Sequence, residues 1–271
     1  MIGQEQLIKQ IDNLIENNRF PRFAIICGVA GSGKKELCKY IAERLNVFWC
    51  YESDCKVETV RKAILDAYKV SSPTLYAFTD ADDMSIQAKN SLLKVTEEPP
   101  NKAYFLMTLE NINNTLPTIR SRATILNMES YTVNNIKTFA NELTKDTQKI
   151  DILAELCETP GEVKYINSVG INDFSGFVNK VFDNIAAVNG SNAFKIGANL
   201  CLKESNTGYD LKLFLRAFKG LCWKQYLKDK NVTYLKGLQI TEKALKKCSF
   251  KSVNRQMVFD IWVLEIRGAW M

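Results

Sequence analysis

Along the first half of the chain, short apolar runs alternate with stretches whose apolar residues recur every three or four positions. In residues 4–16, Leu7, Ile11, Leu14 and Ile15 follow helical spacing, and residues 22–27 then form a compact apolar run that stops at Gly28. The same reading gives a helix over 36–45, a strand over 47–51, a helix over 57–67 and a strand over 74–78. A helix over 86–97 ends before Pro99-Pro100, because proline has no N–H to continue the ladder. Residues 104–108 read as the next buried strand, and 120–127 lead into a last one. Strands that alternate with helices in this way predict a parallel sheet with crossover helices, an α/β class.

Beyond about Met128 the strand signal fades. Residues 133–144 and 150–157 read as a small helical unit, and 174–270 as several longer helices, with Asn189-Gly190-Ser191-Asn192 as a helix–helix loop. The apolar helix over 258–270 suits a buried or subunit-packing role. Boundaries are expected near 129 and 170, giving an α/β domain over 1–129, a small helical unit over 130–170 and an all-α domain over 171–271.

Composition narrows the chemistry. The chain has 271 residues, of which 46% are hydrophobic, enough for a packed core. It contains no histidine, which removes Ser-His-Asp hydrolysis, Cys-His proteolysis and the His-rich zinc enzymes. The net charge of +6 is spread along the chain, so sequence-specific reading of DNA is not expected. The eight cysteines form no CxxC pair and mostly sit in apolar stretches, which reads as small buried hydrophobes. No apolar run is long enough to span a bilayer and no signal peptide is seen, so the expected compartment is the cytoplasm.

One motif carries chemistry outright. Gly28-Val29-Ala30-Gly31-Ser32-Gly33-Lys34 fits GxxxxGK between a strand and a helix, where Gly28, Gly31 and Gly33 let backbone N–H groups wrap phosphates and Lys34 meets the outer ones. The next position, which should bring a hydroxyl to magnesium, is Lys35. A cation a few ångströms from a divalent metal is repelled by several kcal/mol even at a high effective dielectric, so metal-dependent turnover is not expected.

Three further segments occur in order: Ile2-Gly3-Gln4-Glu5; the stretch from Met84 to Pro100 that includes Gln87-Ala88-Lys89-Asn90-Ser91-Leu92-Leu93-Lys94 and Glu97-Glu98-Pro99-Pro100; and Leu116-Pro117-Thr118-Ile119-Arg120-Ser121-Arg122. Over residues 2–128 this resembles the AAA+ subunits of DNA polymerase III clamp loaders, and in its departures the delta-prime branch. The resemblance implies an α/β AAA+ P-loop domain, a helical lid at 130–170 and a helical collar at 171–271, the last resting on order along the chain alone.

In that family a Walker B strand ends in Asp-Glu, whereas the matching positions here are Thr79 and Asp80. Thr108 matches the sensor-1 position, and Glu158-Thr159-Pro160-Gly161-Glu162-Val163 the delta-prime form of the sensor-2 segment, in which glycine replaces an arginine. Asp82 and Asp83 read as a solvated turn. The degenerate nucleotide site is therefore expected to comprise Gly28, Gly31, Gly33, Lys34, Lys35, Asp80 and Thr108, holding ATP or ADP weakly without magnesium, or none. Ser121-Arg122-Ala123 matches the family's Ser-Arg-Cys, which implies that Arg122 acts as an arginine finger in trans with Ser121 beside it. Only Cys50 and Cys55 fall where delta-prime proteins carry a four-Cys zinc module, so no zinc or other metal is expected.

The implied partners are gamma/tau-like motor subunits, a delta-like subunit, the sliding clamp and the backbone of primer-template DNA, with no membrane. Intrinsic ATPase activity is not expected. Two alternatives stay open: an active AAA+ ATPase that works as its own oligomer, and a purely structural stator.

Overall fold

The computed structural model describes residues 1–52, 55–185, 192, 195–197, 209–248 and 253–270. It divides into two compact units, Met1–Phe139 with Glu158–Glu162, and Ala140–Cys157 with Val163–Met271.

The first unit is built on a parallel sheet in the order β2-β3-β4-β1-β5, with β1 Phe23–Cys27, β2 Phe48–Glu52, β3 Thr74–Phe78, β4 Ala103–Leu109 and β5 Thr124–Asn127. The central strands β1, β3 and β4 read as continuous apolar runs because both faces are covered. Ala24, Ile26, Leu75, Ala77 and Leu106 face α1 (Glu5–Glu16) and α2 (Lys34–Leu45), where Leu7, Ile11, Leu37 and Ile41 complete one buried layer. Ile25, Tyr76, Phe78, Phe105 and Met107 form the other, under α3 (Val57–Ala67), α4 (Ile86–Ser91) and α5 (Leu93–Glu97).

The expected helix over 86–97 is broken at Leu92, whose N–H bonds to Lys89 O three residues back. Just before the break, the Ser91 hydroxyl donates to Gln87 O at 3.0 Å, a back-bond of the kind that bends helices. After β4, a single helical turn Ile112–Asn114 leads to α6 (Pro117–Arg120), which has proline in its first turn, and then to β5. The expected segment 120–127 is thus the end of a short helix followed by a four-residue strand.

Downstream lie α7 (Val133–Leu143), α8 (Thr147–Leu156), α9 (Pro160–Val169) and α10 (Ile171–Asn184), then α11 (Leu211–Asp229), α12 (Val232–Cys248) and α13 (Arg255–Trp270). In the second unit, Phe214, Phe218, Phe259 and Trp262 make a buried aromatic core in which ring centroids lie 4.8–6.2 Å apart. The buried Trp262 indole N–H is satisfied by Thr241 Oγ1 at 3.0 Å. The helix expected over 258–270 is all but the first turn of α13, and Val258, Trp262, Val263 and Ile266 are buried. The loop expected at 189–192 lies outside the described residues except Asn192, which is helical. No described helix is long and apolar enough to cross a membrane.

Candidate functional site

The glycine-rich turn joins β1 to α2 as its sequence demands. Gly31 and Gly33 have φ of 74° and 91°, left-handed values that disfavour any side chain, and Gly33 caps α2. Gly28 needs its hydrogen for space, since a Cβ there would lie 2.9 Å from both Met128 Cβ and Ser32 Oγ. Lys34 is only 7% exposed and its ammonium donates to Gly28 O at 2.8 Å and Val29 O at 3.0 Å. Burial pushes its pKa below the ordinary lysine value, partly offset by the Glu110, Asp80 and Asp82 carboxylates. Phosphate oxygens entering this loop would have to win Lys34 from two carbonyls.

The outer side of the loop is held by other parts of the first unit. Gly161 N–H donates to Gly31 O at 2.9 Å, and the two backbones are so close that a Cβ on Gly161 would sit 2.6 Å from Gly31 Cα. This contact is made by the start of α9, where the N-cap Thr159 Oγ1 accepts from Glu162 N–H at 3.4 Å, the Glu162 carboxylate accepts from Glu158 N–H at 2.8 Å, and Pro160 is the first helical residue. Tyr131 adds a second tether by donating its hydroxyl to Ser32 O at 2.6 Å. Gln4, wholly buried, pairs with the Glu129 backbone through both ends of its amide, at 2.9 Å each. Of these, Gly161 and Gln4 lie inside the matched sequence segments, which name no contact for them; Tyr131 carries no sequence signal.

Thr79 and Asp80 stand where the family resemblance would put carboxylates. Thr79 directly follows β3 with 3% exposure, and its buried hydroxyl has no hydrogen-bond partner. Its carbonyl accepts from the Cys55 thiol at 3.2 Å. Asp80 follows in the left-handed region at φ 55°, and its N–H donates to Thr108 Oγ1 at 2.9 Å. Thr108, 1% exposed on β4, is therefore tied to the end of β3. Asp80 borders a cleft of about 560 Å³ together with Cys55, Glu58, Asp83 and Ser85.

Asp82 is not the solvated turn residue expected from the sequence. Its carboxylate accepts from Glu110 N–H at 2.7 Å, Asn111 N–H at 3.2 Å and the Asn114 amide at 2.7 Å, and so clamps the loop after β4. Lys89, buried on α4, donates to Asn114 O in the same loop.

Two side chains set what this loop could offer a magnesium-bound triphosphate. Lys35 is exposed at the position that should offer a hydroxyl, and Thr79 offers the metal no charge. Among the described residues no group of three or more Cys, Asp and Glu is arranged to hold a metal ion.

Arg122 lies elsewhere in the same unit, just past α6. Its side chain is 39% exposed, Nη1 donates to Thr118 O at 2.9 Å, and Nη2 meets Glu97 Oε1 at 2.9 Å. The neighbouring Ser121 hydroxyl also donates to Thr118 O, at 3.1 Å. Ala123 turns inward against the core beneath β4 and α5, which fits the replacement of a cysteine by another small apolar residue. No sequence signal ties Glu97 to Arg122, since 25 positions separate them.

Residues 51–132 match the family described as DNA polymerase III, delta subunit. The DNA polymerase III subunit gamma of Buchnera aphidicola subsp. Schizaphis graminum is 24% identical over 175 residues, covering 54% of this chain, and the chain spans about half of that relative, 48% of its length. A DNA polymerase III gamma subunit-related protein from Thermotoga maritima superposes with a TM-score of 0.52 at 15% identity, covering 98% of this chain and 100% of that one. The RuvB Holliday junction branch migration motor of Thermotoga maritima gives 0.53 at 16% identity, covering 84% and 76%. At these identities the structural likenesses show the fold alone: a five-stranded parallel sheet flanked by helices, with further helices after it.

Proposed function

We propose that this chain, which on these likenesses belongs to the DNA polymerase III clamp-loader family, is a non-motor, delta-prime-like subunit that turns over no nucleotide itself and supplies Arg122 to the nucleotide of a neighbouring ATPase subunit. The observation that carries this reading is a contrast between two cations. Lys34 is buried and committed to loop carbonyls, whereas Arg122 stands 39% exposed at the end of a short helix.

In such a role the guanidinium meets charge as it builds on the transferred phosphoryl oxygens. Its planar fork suits those oxygens, and an arginine delivered in this way is worth about 10³–10⁵ in rate. Ser121 shares the Thr118 carbonyl with Arg122 and so helps shape the turn that presents it. Any ATP or ADP taken up at Gly28, Gly31, Gly33, Lys34 and Lys35, beside Asp80 and Thr108, is held weakly and without magnesium.

The lid at 130–170 and the collar at 171–271 belong to the same proposal, as do the gamma/tau-like motor, a delta-like subunit, the sliding clamp and a cytoplasmic location. Contacts to primer-template DNA would be to phosphates and would weaken steeply with salt. A second reading, a structural stator, draws on the Glu97–Arg122 pair, since an arginine occupied on its own subunit would leave the neighbour's chemistry alone.

The test is the clamp- and DNA-stimulated ATPase rate of the cognate motor subunit, reconstituted with this chain as wild type or Arg122→Ala. A fall of at least about a hundredfold with assembly intact supports delivery in trans. An unchanged rate leaves the stator.

A further inference from the structure

If Arg122 serves a neighbour, its resting place becomes part of the device. The guanidinium is held at two points of its own subunit, by Thr118 O on α6 and by the Glu97 carboxylate at the end of α5. Both anchors are fixed by the chain: α5 is stopped by Pro99-Pro100, α6 is started by Pro117, and the two short helices pack on each other. The ion pair itself is open to water, with Arg122 39% and Glu97 53% exposed. Such a pair has a defined geometry and a small net strength. It fixes where the arginine waits and opposes only weakly its transfer to a stronger anion.

We infer that Glu97 is a positioning residue that parks Arg122 on its own subunit until the terminal phosphate of a neighbour's nucleoside triphosphate takes the guanidinium over. One carboxylate oxygen is exchanged for phosphate oxygens, and no covalent bond is made or broken. The inference rests on the trans role of Arg122 and adds a reason why an unstimulated complex would turn over slowly: parked arginines are not at the phosphate.

Glu97→Gln keeps the size of the side chain and an acceptor oxygen but removes the charge that holds the guanidinium. In a complex reconstituted with the motor subunit, the unstimulated ATPase rate should rise about two- to fivefold, the range set by the strength of an exposed ion pair. The rate stimulated by clamp and DNA should stay within error of wild type, because there Arg122 has already been handed over. Raising the salt should close the gap between variant and wild type, since screening weakens the wild-type pair and leaves nothing to weaken in the variant. Glu97→Asp, which keeps the charge with a shorter reach, should lie between the two.

Arg122→Ala is run in parallel to separate the two claims. If Arg122→Ala abolishes stimulation while Glu97→Gln and Glu97→Asp match wild type in both states, parking is wrong and the trans role stands. A fall in the stimulated rate with Glu97→Gln, restored by Glu97→Asp, would also overturn parking and make Glu97 a residue that orients the delivered arginine. If Arg122→Ala changes nothing, the trans role fails first.

Discussion

Replacing Gly161 with alanine tests whether the start of α9 closes over the glycine-rich loop. The new methyl carbon would lie 2.6 Å from Gly31 Cα and 3.0 Å from Gly31 O, against a comfortable separation of about 3.5–4.0 Å. The neighbours are backbone atoms, so no side chain can swing aside and the two segments must part by about 1 Å. That movement stretches the 2.9 Å bond from Gly161 N–H to Gly31 O beyond hydrogen-bonding range. The lost bond costs about 0.5–1.5 kcal/mol and the forced repacking about 1–3 kcal/mol. Against this, alanine is favoured over glycine within a helix by up to about 1 kcal/mol. The net expectation is a destabilisation of about 0.5–4.5 kcal/mol.

A matched control comes from the same molecule. Gly176 on α10 and Gly220 on α11 have no atom within 4 Å of a built Cβ, so alanine at either should be neutral or stabilising by up to about 1 kcal/mol. Urea unfolding followed by far-UV circular dichroism compares the three variants, with the transition read as two steps if the units melt separately. Gly161→Ala should lower its midpoint while Gly176→Ala and Gly220→Ala do not. Equal behaviour of all three would refute the packing of Gly161 on Gly31, and with it the steric requirement for glycine at position 161.

Three other expectations follow from polar groups whose surroundings are explicit. Thr79→Val removes a buried hydroxyl that has no partner, so it should be neutral or stabilising by up to about 1 kcal/mol in the same urea assay, and a clear loss would mean the hydroxyl is satisfied. Burial pushes the Cys38 and Cys222 thiols up to about 12, so neither should react with Ellman's reagent at pH 8 in the native protein, and peptide mapping should find both labelled only after denaturation. Burial alone would raise the Asp12 carboxyl, but hydrogen bonds from the Tyr40 hydroxyl and the Arg44 guanidinium outweigh it and leave the group below its ordinary value. The unfolded chain then takes up this proton at a higher pH than the native one, so the stability from Asp12 is full at neutral pH and is lost as pH falls below about 4. Asp12→Asn should be less stable than wild type at pH 7 and converge on it in acid, and a constant difference across that range would contradict the assignment.

How far each part of the molecule is legible in the sequence follows from the kind of force that shapes it. Strands such as Thr74–Phe78 and Phe23–Cys27 are buried on both faces, so their apolar runs mark them to within a residue or two. The helix over 86–97 keeps its apolar rhythm, yet its break at Leu92 accompanies a single hydroxyl back-bond from Ser91, a polar event that periodicity does not register. Asp82 is the same lesson at longer range. Between Ala81 and Asp83 it looks like a solvated turn, and only the return of the chain at Glu110 to Asn114 makes its carboxylate an anchor.

The candidate site divides along the same line. Motif spacing singles out Lys34, and the family resemblance singles out Thr79 and Arg122 as candidates, because a phosphate loop, a strand end and a helix end are local features that sequence carries. It does not carry their partners, since Gly28 and Val29 O for Lys34, and Glu97 for Arg122, depend on how the backbone closes on itself. Those partners decide what each cation can do next. Releasing Lys34 means uncovering two carbonyls within a loop that Gly161 and Tyr131 also hold, so several bonds must change together. Releasing Arg122 means breaking one half-exposed ion pair and one bond to a carbonyl, both replaceable by water or by phosphate oxygens. Two residues that look alike as basic members of phosphate motifs thus differ in the work needed to redeploy them, and that difference favours chemistry delivered to a neighbour over chemistry at the chain's own loop.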